Sequence, residues 1–158
     1  MKKPPEKLHV KVADLMQAPV MTTTPSQTVG RVRKVMTEKH VSCMPVVDPG
    51  GMPLGIVTST DLLAPGSDAR PVSQVMTRSV YSVPPYAEIA LAAQTMRRHH
   101  VHHVVVVDEK KVVGILSSFD VLRIVEDRSF TPKQPPTRPK HRRLSGGRRE
   151  TEIHGHPE

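Results

Sequence analysis

Two stretches of the chain place residue types that could do chemistry at matched spacing. Gly55-Ile56-Val57-Thr58-Ser59-Thr60-Asp61 and Gly114-Ile115-Leu116-Ser117-Ser118-Phe119-Asp120 each carry a glycine, a hydroxyl three residues on and a carboxylate three further on. The glycine lets a ligand come close to the backbone. Thr58 or Ser117 falls where a strand gives way to a helix. Free N–H groups and the helix dipole there favour an anion such as phosphate. Asp61 or Asp120, about one turn further on, is placed to accept hydrogen bonds from both hydroxyls of a ribose. The same spacing is also a helix capping box, and the two readings can coexist.

The histidines are the next candidates. His99, His100, His102 and His103 invite a metal, but His102 and His103 point to opposite faces of a strand. No cysteine or carboxylate completes a set at metal-ligand spacing. Contact of one or two imidazoles with phosphate, and a solvated rim for the others, fits better. Thr60 adds a hydroxyl to the first stretch. Nothing resembles a Ser-His-Asp or Cys-His arrangement, paired catalytic carboxylates or a phosphate-binding Gly-Lys loop. With no general base placed, a small enzyme built on these residues is disfavoured.

These residues need elements to hold them. Apolar residues at Val29, Val32, Val35 and Met36, with Arg31, Arg33, Lys34 and Glu38 between, predict a helix from Thr28 to Lys39 with one buried stripe. The basic residues there, like Arg97 and Arg98 later, read as a solvated helix face. Met44 to Val47 and Leu54 to Val57 predict strands joined by the turn Asp48-Pro49-Gly50-Gly51. A helix is expected to start at Ser59 and end by Pro65. The order then begins again: Val72, Met76, Val80, Pro85, Met96, His100 and Asp108 repeat Val12, Met16, Val20, Pro25, Met36, His40 and Asp48 at an offset of 60. One deletion in the turn shifts the offset to 59, matching Gly114, Ser117 and Asp120 to Gly55, Thr58 and Asp61. This is an internal duplication of a β-α-β-β-α unit led by a short helix. A unit of about 60 residues buries little surface alone, so an α/β (α+β) fold of two units packed sheet against sheet is expected.

Four segments follow: a flexible leader 1–9, repeats at 10–66 and 67–127, and a tail 128–158. The tail holds eight of the 23 Lys and Arg but three of the 15 Asp and Glu. It is rich in proline and nearly free of apolar residues, the composition of a disordered segment. Aromatic residues are only 3% of the chain, so the core must be aliphatic. The single cysteine, Cys43, excludes an internal disulfide and reads as a small buried hydrophobe. No secretory signal or membrane-spanning run is apparent, which gives the expectation of a soluble, cytoplasmic protein.

The duplication resembles a tandem pair of CBS domains, the modules named after cystathionine beta-synthase. The residues that carry it are Met16 and Met76, Met36 and Met96, Val46-Val47-Asp48 and Val106-Val107-Asp108, and the two Gly-x-x-Ser/Thr-x-x-Asp stretches. Val101 to Asp108 is also similar to a segment of the gamma subunit of AMP-activated protein kinase. There, a His-Arg pair in the places of His102 and His103 contacts nucleotide phosphate. A second histidine for arginine would make that contact weaker and pH-dependent. The resemblance implies no obligatory cofactor but an adenosine nucleotide or S-adenosylmethionine as regulatory ligand, with Asp61 and Asp120 on ribose. It also implies signalling to a separate effector protein, because no effector domain is attached, and a homodimer formed through the apolar stripes of the long helices. The alternative is a nucleic-acid-associated protein, with Arg142, Arg143, Arg148 and Arg149 of the tail pairing with phosphates. Against it, the tail has no Tyr or Trp to stack on bases. Between the two stretches, the second is expected to make the better site, with His102 and His103 joining Ser117 and Asp120 where the first repeat has Ser42 and Cys43.

Overall fold

The computed structural model describes residues 9–126. The tail expected at 128–158 lies outside them, as does nearly all of the leader. In chain order the elements are α1 (Val12–Leu15), α2 (Val29–Lys39), β1 (Cys43–Val47), β2 (Pro53–Thr58), β3 (Ser82–Val83), α3 (Ile89–His99), β4 (His103–Asp108), β5 (Lys111–Ser117) and α4 (Ser118–Glu126). Short 3-10 turns lie at Asp61–Leu63 and Val72–Gln74. Among the described residues no helix is long and apolar enough to cross a membrane.

Each repeat builds a small sheet. β1 pairs antiparallel with β2, and β4 pairs antiparallel with β5 and parallel with β3. The leading strand of the expected β-α-β-β-α unit forms as β3 in the second repeat, whereas in the first repeat its place holds a single bridge, Thr23 to Val46. The turn after β1 is held by Asp48, whose Oδ1 accepts from the N–H groups of Gly50 and Met52 at 2.8 and 2.9 Å. Gly51 adopts φ 89°, a conformation glycine takes without steric cost. The start of β5 in the second repeat touches it through Val112 N–H to the Gly51 carbonyl, 3.0 Å.

Two aliphatic cores result. One gathers Val29, Val32 and Met36 of α2 with Met44, Val46 and Val57; the other gathers Ile89, Ala92 and Met96 of α3 with Val104, Val106 and Leu116. The stripes of both long helices are therefore largely spent inside the molecule, although Leu91 of α3 stays 46% exposed. Each core also takes residues from the other repeat. Val12 is buried in the second core and Val72 in the first, with Met16 and Met76 packed alongside. Backbone bonds stitch this exchange, among them Val12 N–H to Ala87 O, 2.9 Å, and Val29 N–H to Arg70 O, 2.8 Å. Gln17 then bridges to Ile115, and Thr77 to Ile56, so each sheet is bordered by chain from the opposite repeat.

The helix expected from Ser59 is only the 3-10 turn Asp61–Leu63. Pro65 supplies no N–H and pushes Ala64 to an extended conformation, ψ 136°, which stops the turn. Its counterpart α4 meets no proline and runs nine residues. Arg33, expected on a solvated face, instead ties this turn down. Its Nη2 donates to the Leu62 carbonyl at 2.7 Å and its Nη1 to Asp68 at 2.5 Å.

Candidate functional site

The two sheets meet across a cleft that holds two cavities related by the duplication. In each, the hydroxyl stretch of one repeat faces the post-helix loop of the other. The grouping expected from sequence is thus crossed. His102 and His103 line the cavity of Thr58, Ser59 and Thr60, while Ser117 and Asp120 face Ser42 and Cys43. His103 and Ser42 line both, His103 because it pairs with Ser117 across β4 and β5. The physical reason is the exchange of leading segments, which lays each β2-type strand against the other repeat's linker.

The Thr58 cavity measures about 480 Å³. Six Ser and Thr hydroxyls, from Ser42, Thr58, Ser59, Thr60, Thr77 and Ser79, line it together with the apolar Ile56 and Val101. Tyr81 and His99 also line it, their rings stacked at 3.9 Å and 18°. No carboxylate, lysine or arginine is among its described lining residues. Such a wall suits a polar, flat-ringed ligand: hydroxyls both donate and accept, and the stacked rings offer an aromatic surface.

The Asp120 cavity measures about 160 Å³, below the range in which small-molecule sites usually fall. Asp120 is only 8% exposed and both of its oxygens are engaged. Oδ2 accepts from Ser117 N–H at 2.8 Å and Ser117 Oγ–H at 2.7 Å, and Oδ1 accepts from the Gln17 amide at 3.3 Å. The Asp120 N–H returns a bond to Ser117 Oγ at 3.1 Å, which completes a capping box. Asp61 binds Thr58 in the same reciprocal way through Oδ2, at 2.8 and 3.0 Å. Its Oδ1 has no protein partner among the described residues and is the freer acceptor of the two carboxylates.

Three expectations about these stretches change. The glycines do not open space for a ligand. A Cβ on Gly55 would meet Met76 Sδ at 2.7 Å and Thr77 O at 3.0 Å; on Gly114 it would meet Met16 Sδ at 2.8 Å and Gln17 O at 3.1 Å. The close approach is made by the exchanged segment itself. Thr58 has no helix behind it, only the 3-10 turn, so the dipole expected there is missing. Two N–H groups expected to be free are also taken, Ser59 by Ser42 O and Ser118 by His102 O, at 2.9 and 2.8 Å.

Electrostatics divide the cleft further. Burial, then the neighbouring His102, pulls His103 below the usual imidazole value, with Asp120 opposing. At neutral pH it is an uncharged donor. Cys43 is buried, as expected, and its thiol is pushed up to about 12 by burial and then by Asp61. Among the described residues no group of three or more His, Cys, Asp and Glu converges in a way that could hold a metal ion. The residues sequence reasoning passed over are Tyr81, Ser79, Thr77 and Gln17. The legible signal was the difference between repeats, since Tyr81 stands where the first repeat has Met21.

With this geometry, comparison with known proteins places the chain. The CBS domain family model matches residues 12–65 and 72–127, and the chain belongs to that family. It is 32% identical over 115 residues to the CBS domain-containing protein YhcV of Bacillus subtilis, covering 70% of this chain and 81% of that protein. It is 36% identical over 119 residues to a homoserine O-acetyltransferase of Methanococcoides burtonii, covering 74% of this chain but only 24% of the enzyme. Among solved structures, the CBS domain pair of protein MJ0100, in complex with 5′-methylthioadenosine and S-adenosyl-L-methionine, superimposes with a TM-score of 0.70 at 27% identity. That match covers 76% of this chain and 98% of that one. A putative acetoin utilization protein from Vibrio cholerae gives 0.69 at 30% identity, covering 76% and 93%. CBS pairs are regulatory modules. The nucleic-acid reading rests on arginines outside the described residues.

Proposed function

We propose that this chain is a regulatory module that binds one adenosine-containing ligand in the Thr58 cavity and signals its occupancy to a separate effector protein. The observation that carries the reading is the contrast between the cavities. One has about 480 Å³, six Ser and Thr hydroxyls and a stacked Tyr81–His99 pair; the other has about 160 Å³ and a carboxylate already engaged through both oxygens. The adenosine compounds bound to the MJ0100 pair support the ligand class. In this reading the base lies by Tyr81 and His99, Asp61, which adjoins the cavity through its bonds to Thr58 without lining it, offers Oδ1 to ribose hydroxyls at the cavity edge, and Thr58, Thr60, His102 and His103 serve the remaining polar groups. Ser117 and Asp120 act as a structural clasp, and Gly55 and Gly114 admit the exchanged methionines. Calorimetric titration with AMP, ATP, 5′-methylthioadenosine and S-adenosylmethionine tests it. One site per chain is expected, weakened by Asp61→Ala roughly thirty- to hundredfold for a charged acceptor and little changed by Asp120→Asn. Silence of every ligand at millimolar concentration, or a loss with Asp120→Asn as large as with Asp61→Ala, would defeat the assignment.

A further inference from the structure

Resting on that adenosine reading, we infer that the ligand carries a chain of two or more phosphates, which leaves the Thr58 cavity over His102 and ends at Arg97. The cavity itself is poorly equipped for a phosphate. Its described lining has no lysine or arginine, and a dianion confined among neutral hydroxyls would keep a large desolvation penalty. The positive charge lies next door. A groove at the end of α3 is lined by Met96, Arg97, His100, Val101, His102 and Ser118, and it shares Val101 and His102 with the cavity. Arg97, His100 and His102 are all exposed, and no carboxylate is among the groove's described lining residues. Arg97 has neither an ion pair nor a side-chain hydrogen bond with any described residue, so its five donors are open to an anion. A nucleoside monophosphate with its base by Tyr81 would end near His102. A di- or triphosphate continues to the guanidinium, where a bidentate contact is available.

The test compares AMP, ADP, ATP and S-adenosylmethionine by calorimetry on wild type, Arg97→Ala and Arg97→Lys. ATP and ADP should bind wild type about tenfold or more tightly than AMP, the scale of one charge-assisted contact. Arg97→Ala should erase that advantage while leaving AMP unchanged, and Arg97→Lys should keep part of it. Arg97 is exposed in the last turn of α3, so the substitution leaves the core untouched. AMP binding as tightly as ATP, S-adenosylmethionine binding more tightly than either, or Arg97→Ala without effect overturns the phosphate path and leaves the adenosine site standing. No binding by any adenosine compound overturns both.

Discussion

A methyl group on Gly55 or Gly114 would fall within 3.1 Å of a backbone carbonyl, and backbone cannot step aside as a side chain can. Gly55→Ala and Gly114→Ala should therefore each destabilise the fold by about 1–3 kcal/mol, the usual cost of overpacking. The melting temperature should fall by several degrees. Adding Met76→Ala to Gly55→Ala removes the sulfur contact but not the Thr77 carbonyl, so rescue should be incomplete. A Gly55→Ala protein that melts with wild type but loses ligand would return the glycine to a ligand-contact role. His103 gives a second prediction at this scale. Its value is held below the unfolded one by burial and by His102. In the window from the ordinary imidazole value near 6.5 down to that lowered value, the unfolded chain binds the extra proton. Stability should thus rise with pH through that window and level off above it. His103→Gln should flatten this rise relative to wild type, measured by urea unfolding between pH 5 and pH 8. An unchanged profile would mean that His103 titrates as freely in the fold as out of it.

The elements depend on one another through the exchanged leading segments. Residues 9–66 alone would lack Val72, Val75 and Met76 from their core, and residues 67–126 would lack Val12 and Met16. Either repeat expressed alone is expected to show no cooperative melt by circular dichroism, whereas mixing the two should restore one. A repeat that melts cooperatively by itself would show that the exchange adds little. This exchange also explains what the sequence could and could not tell. The amphipathic helices, the paired strands and the duplication follow from period and offset, because Val29, Val32 and Met36 repeat as Ile89, Ala92 and Met96. Which repeat completes which site does not follow, since the offset relates Thr58 to Ser117 without saying which post-helix loop each one faces. His40 and His100 end the long helices in the left-handed conformation, φ 54° and 53°. Glycine or asparagine would have announced that cap; histidine did not, and at His100 it stood among the candidates for phosphate. Tyr81 was hidden for a related reason. A single tyrosine just ahead of a two-residue strand carries no spacing signal until the fold stacks His99 against it.

At the scale of the whole molecule, exposed apolar side chains are scattered at Met21, Met52, Leu54, Tyr86 and Leu91, but on α4 they share one face. Phe119 is 79% exposed, Leu122 55% and Val125 56%, and their spacing of three puts them on one helical face. The duplication matches Leu122 to Leu63, which is 81% exposed in the first repeat. Exposed leucines at matched positions of two packed repeats suit an isologous contact, in which the same patch meets itself across a two-fold axis. We therefore propose that two copies associate through this face, not through the long helices whose stripes the cores largely consume. Burying Phe119 and Leu122 is worth about 1.5–3 kcal/mol per side chain, and each counts twice in a symmetric pair. Light scattering should give twice the 17.5 kDa chain mass at micromolar protein. Phe119→Ser with Leu122→Glu should return 17.5 kDa with little change in melting temperature beyond the loss of association itself. The charged substitution is useful because a glutamate brought against its own symmetry mate is repelled as well as desolvated. If a chain ending at residue 126 stays dimeric and the double variant does not, the second copy is the occupant. If wild type scatters as a single chain, the α4 face is either covered from within the molecule or bare, and the dimer is wrong.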